Sequence, residues 1–145
     1  MRISYTEQAE NAIKYASKKA REMNHPYIGT EHLLLGLQTE YSGVAGQILA
    51  QNGVEEEKVL QLMDELISPR ENVYEGRKPE ESPRLRHILE NSVKEAHRLR
   101  TAKAGSAHLL LSIIRDTDCV AARILITLNI NLQKIFQDIM SAVGM

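Results

Sequence analysis

Glu31 sits in the run Gly29-Thr30-Glu31-His32, where a glycine and a threonine mark the expected start of a helix. The first amides of a helix lack intrahelical partners and favour an anion such as phosphate. A carboxylate beside them attracts the opposite charge and pairs well with a guanidinium. The hydroxyl of Thr6, the expected N-cap of another helix, is a second group of the same kind. The same residues admit a plainer reading, in which Thr6 and Thr30 are ordinary caps and Glu31 complements the helix dipole.

Other chemistries find less support. His25, His32, His87, His97 and His108 are scattered, with no His-x-x-x-His pair and one cysteine to join them. Zinc needs three or four ligands brought together, so no metal is expected. Cys119 falls at a helix start, where a thiolate would be favoured, but no base accompanies it and a packed thiol is the simpler reading. Glu31 and His32 are neighbours on a helix, about 100° apart, and badly placed to act as a pair. The expectation is a chain that is not an enzyme. A basic helix carries Arg84, Arg86, His87, Lys94, His97, Arg98, Arg100 and Lys103, but Glu90 and Glu95 interrupt it. No element reads as a base-reading recognition helix; a solvated face is the reading, with a nucleic-acid-binding helical regulator as the alternative.

The elements that position these residues are written twice. Gly29-Thr30-Glu31-His32-Leu33-Leu34-Leu35 returns 76 positions later as Gly105-Ser106-Ala107-His108-Leu109-Leu110-Leu111. The same offset superimposes Thr6 on Ser82, Val44-Ala45 on Val120-Ala121 and Lys58 on Lys134. A fixed offset over such a span is one structural unit built twice. In the first copy, apolar residues at spacings of three and four predict a helix from the Thr6 cap to Asn24-His25-Pro26. A second helix, with Thr30 as N-cap, runs to a break at Tyr41-Ser42-Gly43. A third spans Val44 to Gln51 and stops at Asn52-Gly53. A fourth has Glu55, Glu56 and Glu57 in its first turn. The second copy repeats the pattern over about 83–101, 106–115, 119–127 and 131–143, opened by Ser82 as N-cap and Pro83 at the first helical position. The expected fold is all-α, two tandem four-helix repeats forming one pseudo-two-fold eight-helix domain. Its parts are repeat one at 1–67, a Pro- and charge-rich linker at 68–82, and repeat two at 83–145.

Bulk properties agree. A chain of 145 residues suits one domain, and its apolar content is aliphatic, with one phenylalanine and no tryptophan. Residues 1–67 carry 6 basic and 10 acidic side chains, whereas 84–145 carry 9 and 5. The single cysteine excludes an intramolecular disulfide and fits a reducing compartment. The N-terminus has no apolar core of signal-peptide length and no run is long enough to span a bilayer. A cytoplasmic protein without membrane contact is expected.

The run Tyr27-Ile28-Gly29-Thr30-Glu31-His32-Leu33-Leu34-Leu35-Gly36-Leu37, the duplication and the length together resemble the Clp N-terminal repeat domain of ClpC- and ClpA-type AAA+ unfoldases. Within that family the pattern looks most like the ClpC group of Gram-positive bacteria. The resemblance implies a substrate- and adaptor-binding module whose parent is an ATPase subunit of a Clp protease. A free-standing Clp-like adaptor is the other possibility. The chain has no Gly-x-x-x-x-Gly-Lys-Ser/Thr phosphate-binding loop, so no cofactor is expected, ATP belonging to absent ATPase modules. In ClpC relatives the matching residues are implicated in docking phosphoarginine. Carried over by position, the resemblance implies that Glu31 holds the guanidinium, with Thr6, Gly29 and Thr30 completing the pocket. A second pocket would use Ser82, Gly105 and Ser106, weaker because Ala107 replaces the carboxylate. The implied partners are protein substrates, adaptors and phosphoarginine-marked proteins, with an acidic adaptor suited to the basic helix and no nucleic acid.

Overall fold

The computed structural model describes residues 5–66 and 78–144. Among them are eight helices: α1 (Glu7–Glu22), α2 (Thr30–Thr39), α3 (Val44–Gln51), α4 (Glu56–Leu66), α5 (Pro83–Arg98), α6 (Ser106–Arg115), α7 (Val120–Thr127) and α8 (Leu132–Val143). The all-α expectation holds. Residue 67 and residues 68–77 of the expected linker lie outside the described residues.

Helix starts follow the sequence signals closely. Thr6 Oγ1 accepts from Ala9 N–H at 3.2 Å, and Ser82 Oγ accepts from Leu85 N–H at 3.0 Å, with Pro83 in the first turn. The stops repeat as well. Gly53 and Asn129 end α3 and α7 at φ of 79° and 62°, and Asn24 and Arg100 end α1 and α5 at 58° and 59°. That left-handed turn at Arg100 ends α5 at Arg98, short of the expected residue 101.

The core centres on α2 and α6. Every residue from Thr30 to Gln38 and from Ser106 to Ile114 is buried, the pattern of a helix surrounded by others rather than lying on a surface. Ala9, Ala12, Ala16 and Ala20 line the buried stripe of α1, and small side chains let it approach α2 closely. At the crossing, a methyl on Gly36 would run into the Ala12 carbonyl oxygen. The equivalent position in repeat two is Ser112, whose Oγ instead donates to Ile88 O at 2.8 Å.

Two features were not foreseen. Short strands β1 (Tyr27–Ile28) and β2 (Glu80–Glu81) pair in parallel, Tyr27 with Glu80 and Ile28 with Glu81, so the end of the expected linker is pinned to repeat one. The mirror contact is the parallel bridge between Tyr5 and Ala104. Second, Thr30 is not the N-cap of α2. Gly29 is the cap, and the Thr30 hydroxyl turns away to accept from Ala121 N–H, in α7, at 3.0 Å. Ser106 does the same for Ala45 N–H, in α3, at 3.1 Å. Each repeat therefore caps a helix of the other, because the strand pairings carry the helix starts across the pseudo-two-fold axis.

Candidate functional site

That exchange decides which residues meet. Ser82 N–H donates to Ile28 O at 2.9 Å, which places the start of α5 beside Gly29, Thr30 and Glu31. Thr6 N–H donates to Ala104 O at 2.9 Å, and the Thr6 side chain lies against Gly105. The expected groupings are thus exchanged. Ser82, not Thr6, joins Gly29, Thr30 and Glu31, while Thr6 joins Gly105, Ser106 and Ala107. Each candidate pocket is built from both repeats.

The Glu31 pocket is a cavity of about 510 Å³ lined by Tyr27, Gly29, Thr30, Glu31, Ser82, Pro83, Arg84, Asp118, Cys119 and Val120. Three helices, α2, α5 and α7, begin at its wall. Their N-terminal amides and dipoles make the cavity attractive to an anion. Glu31 is 7% exposed, and burial raises its carboxyl above the ordinary carboxylate range. Among the described residues no side chain donates a hydrogen bond to it, and His32 Nδ1 stands 3.9 Å away. The carboxylate folds back over the glycine cap: a methyl at Gly29 would lie 2.7 Å from Glu31 Cδ. At Gly105, where Ala107 supplies no carboxylate, the same methyl would meet nothing nearer than Thr6 Cγ2 at 3.5 Å.

The histidines have a structural role that the sequence only hinted at. His32 Nδ1 accepts from Gly29 N–H at 2.8 Å and His108 Nδ1 from Gly105 N–H at 2.9 Å. Each is the third helical residue reaching back to its cap, half of a capping box. Because Nδ1 of His32 accepts, its proton sits on Nε2, 2.7 Å from His25 Nδ1. Burial, then the neighbouring His25, holds the His32 pKa down to about 3. A neutral ring whose Nδ1 is already engaged does not form an acid–base pair with Glu31. Among the described residues no group of three or more His, Cys, Asp and Glu side chains is placed to hold a metal ion.

Cys119 is the N-cap of α7, its Sγ accepting from Ala122 N–H at 3.4 Å and lying 3.7 Å from Ile113 O. Burial pushes its thiol pKa up, the opposite of an activated nucleophile. Sequence reasoning missed six residues of this wall: Tyr27, Pro83, Arg84, Asp118, Cys119 and Val120. In the sequence Arg84 belongs with the basic helix, and nothing in the 76-residue offset says that a cap of one repeat faces the loop of the other.

Residues 4–144 match the family described as the Clp repeat (R) N-terminal domain. The chain belongs to that family. Among curated Clp relatives, it is 34% identical over 145 residues to the ATP-dependent Clp protease ATP-binding subunit ClpC of Staphylococcus epidermidis, covering 96% of this chain and 17% of the relative. It is 35% identical over 139 residues to ClpC of Staphylococcus aureus strain USA300, with the same coverage. The chain thus spans about one-sixth of the length of these ClpC relatives. Solved Clp domains share the fold. The N-terminal domain of ClpD from Arabidopsis thaliana superimposes with a TM-score of 0.79 at 20% identity, covering 95% of this chain and 96% of that one. The N-domain of ClpV from Vibrio cholerae gives 0.77 at 22% identity, covering 97% and 86%. A ClpV N-domain solved in complex with a VipB peptide gives 0.72 at 22% identity, covering 95% and 88%.

Proposed function

We propose that this Clp repeat domain is a docking module that recruits proteins for degradation, and that its Glu31 pocket receives phosphoarginine. A single observation carries the reading: a buried carboxylate without a side-chain partner stands in a cavity onto which three helix starts converge. A phosphorylated guanidinium carries both complementary charges, its cation meeting Glu31 and its phosphate meeting the helix amides. Ser82 and Arg84 stand on the same wall and add a hydroxyl and a cation on the phosphate side. The pocket of Thr6, Gly105 and Ser106 lacks the carboxylate, so it binds the same group more weakly. A ClpV N-domain of this fold takes a VipB peptide, which makes peptide docking on such a scaffold reasonable.

The mechanism is recruitment. A marked or adaptor-bound protein docks here, and the parent's ATPase ring, which alone would need ATP, unfolds it into the Clp protease. The domain itself performs no catalysis and takes no cofactor, and the setting is the cytoplasm. Among the described residues no helix is long and apolar enough to cross a membrane.

Calorimetric titration with free phosphoarginine tests the reading. The expected result is one dominant site per chain, weakened roughly ten- to a hundredfold in Glu31→Ala, the cost of losing a charge-assisted hydrogen bond. Two equal sites, or undiminished binding by Glu31→Ala, would rule it out.

A further inference from the structure

A second cavity, of about 410 Å³, lies along α5 and α6, and Arg84 lines both it and the Glu31 pocket. From Arg84 the lining continues through His87, Asn91, Lys94 and Arg98 along one face of α5, with Arg115 opposite on α6. Four permanent cations face two carboxylates, Glu95 and Asp116, leaving the cleft net positive. The spacing from Arg84 to Arg98 is about 21 Å of helix, the span of roughly six extended residues.

The three guanidiniums are held rather than free. Glu95 is 5% exposed, and its two oxygens engage Arg98, at 3.2 Å, and Arg115. Arg115 also lies over the Phe136 ring, 5.6 Å from its centroid. Arg84 pairs with Asp116 at 3.0 Å. Each guanidinium has five donors, so one pairing apiece fixes the fork while leaving donors for a ligand. Lys94 is exposed and, among the described residues, has no carboxylate within salt-bridge distance.

Repeat one serves as an internal control. At the positions equivalent to Arg84, Glu95, Arg98 and Arg115 it has Gln8, Lys19, Glu22 and Thr39. Repeat one folds with no carboxylate at the Glu95 position and no cation at the Arg84, Arg98 and Arg115 positions, so packing does not require this set in repeat two. Burying Glu95 is unfavourable unless paired, and what the pairing produces is a fixed pair of guanidiniums facing outward.

We propose that the α5–α6 cleft binds an acidic peptide segment flanking the residue held in the Glu31 pocket, so that the domain prefers marked sites lying beside runs of Asp and Glu. The inference rests on the pocket reading and specifies its substrate class. Carboxylates fit the forks of Arg98 and Arg115, and Arg84, shared by both cavities, marks where a bound chain passes from one to the other.

The test is fluorescence anisotropy with four labelled peptides, each having a central arginine, phosphorylated or not, flanked on both sides by six Asp/Glu or six Gly/Ser residues. The phosphorylated acidic peptide should bind about tenfold tighter than the phosphorylated neutral one. That advantage should vanish in Lys94→Ala/Arg98→Ala, whose two side chains are exposed, and should shrink steeply with added salt. The neutral phosphorylated peptide should bind this variant as it binds wild type. Equal affinity of the two phosphorylated peptides for wild type would overturn the cleft proposal without any variant. So would an acidic advantage that survives the double substitution, or displacement of the acidic peptide more effectively by duplex DNA than by free hexaglutamate. Failure of the pocket reading looks different: the neutral peptide would gain nothing from phosphorylation, and Glu31→Gln would change neither phosphorylated peptide.

Discussion

Glycine at position 29 is the residue on which the Glu31 carboxylate depends. The carboxylate occupies the space a side chain would take, with Glu31 Oε2 2.7 Å from the position of an added methyl. The clash is with the end of a flexible side chain, so Gly29→Ala should displace the carboxylate rather than unfold the protein. Phosphoarginine affinity is expected to fall about as far as in Glu31→Ala, with a melting temperature within a few degrees of wild type. An unchanged affinity would show that the observed carboxylate position is not the binding one. The histidine at the next position titrates with opposite consequences for stability. His32 is held near 3 in the fold and near 6.5 when unfolded, so the unfolded chain takes up the proton first. Its contribution is complete above about pH 6.5 and is lost as pH falls towards 3, by up to about 1.4 kcal/mol per pH unit. Urea midpoints measured from pH 7 to 4.5 should therefore decline, and His32→Gln, which keeps an acceptor for the Gly29 amide, should flatten the decline. An unaltered slope in that variant would assign the acid sensitivity to other groups.

The helices themselves were largely legible, because their signals are local. Thr6, Ser82-Pro83, Gly53 and the repeated apolar spacing mark starts and stops within a few residues of where they occur. What stayed hidden is contact between distant segments. Thr30 has the sequence character of an N-cap, yet tertiary structure gives its hydroxyl to Ala121, and a glycine suffices as cap because His32 supplies the reciprocal bond. The two-residue strands are too short to produce a period. The Gly36–Ser112 mismatch was visible, but its meaning is a helix crossing: close at Gly36 against Ala12, and hydroxyl-filled at Ser112 against Ile88. Gly36→Ser should therefore force α1 and α2 apart at a cost of about 1–3 kcal/mol, the usual range for overpacking. Ser112→Gly should cost about 1–2 kcal/mol, through one hydrogen bond and helix propensity. Chemical denaturation of the two variants checks the order; a neutral Gly36→Ser would contradict the close crossing.

At the scale of the whole molecule, the duplication reads differently in three dimensions than along the chain. The offset of 76 residues suggests two units, each with its own pocket. The fold instead crosses them: β1 pairs with β2, Tyr5 pairs with Ala104, and Thr30 and Ser106 cap helices of the opposite repeat. Divergence after duplication then acts on composite sites, so a single replacement, Glu31 against Ala107, alters one of them while its cap comes from the other half. Chemical-shift mapping by two-dimensional NMR of the labelled domain, titrated with phosphoarginine, tests this directly. Saturable shifts should appear first at Gly29, Thr30 and Glu31 of one repeat together with Ser82, Arg84 and Val120 of the other. Shifts centred instead on Thr6, Gly105 and Ser106, or no saturable shift at the Glu31 pocket, would contradict the account.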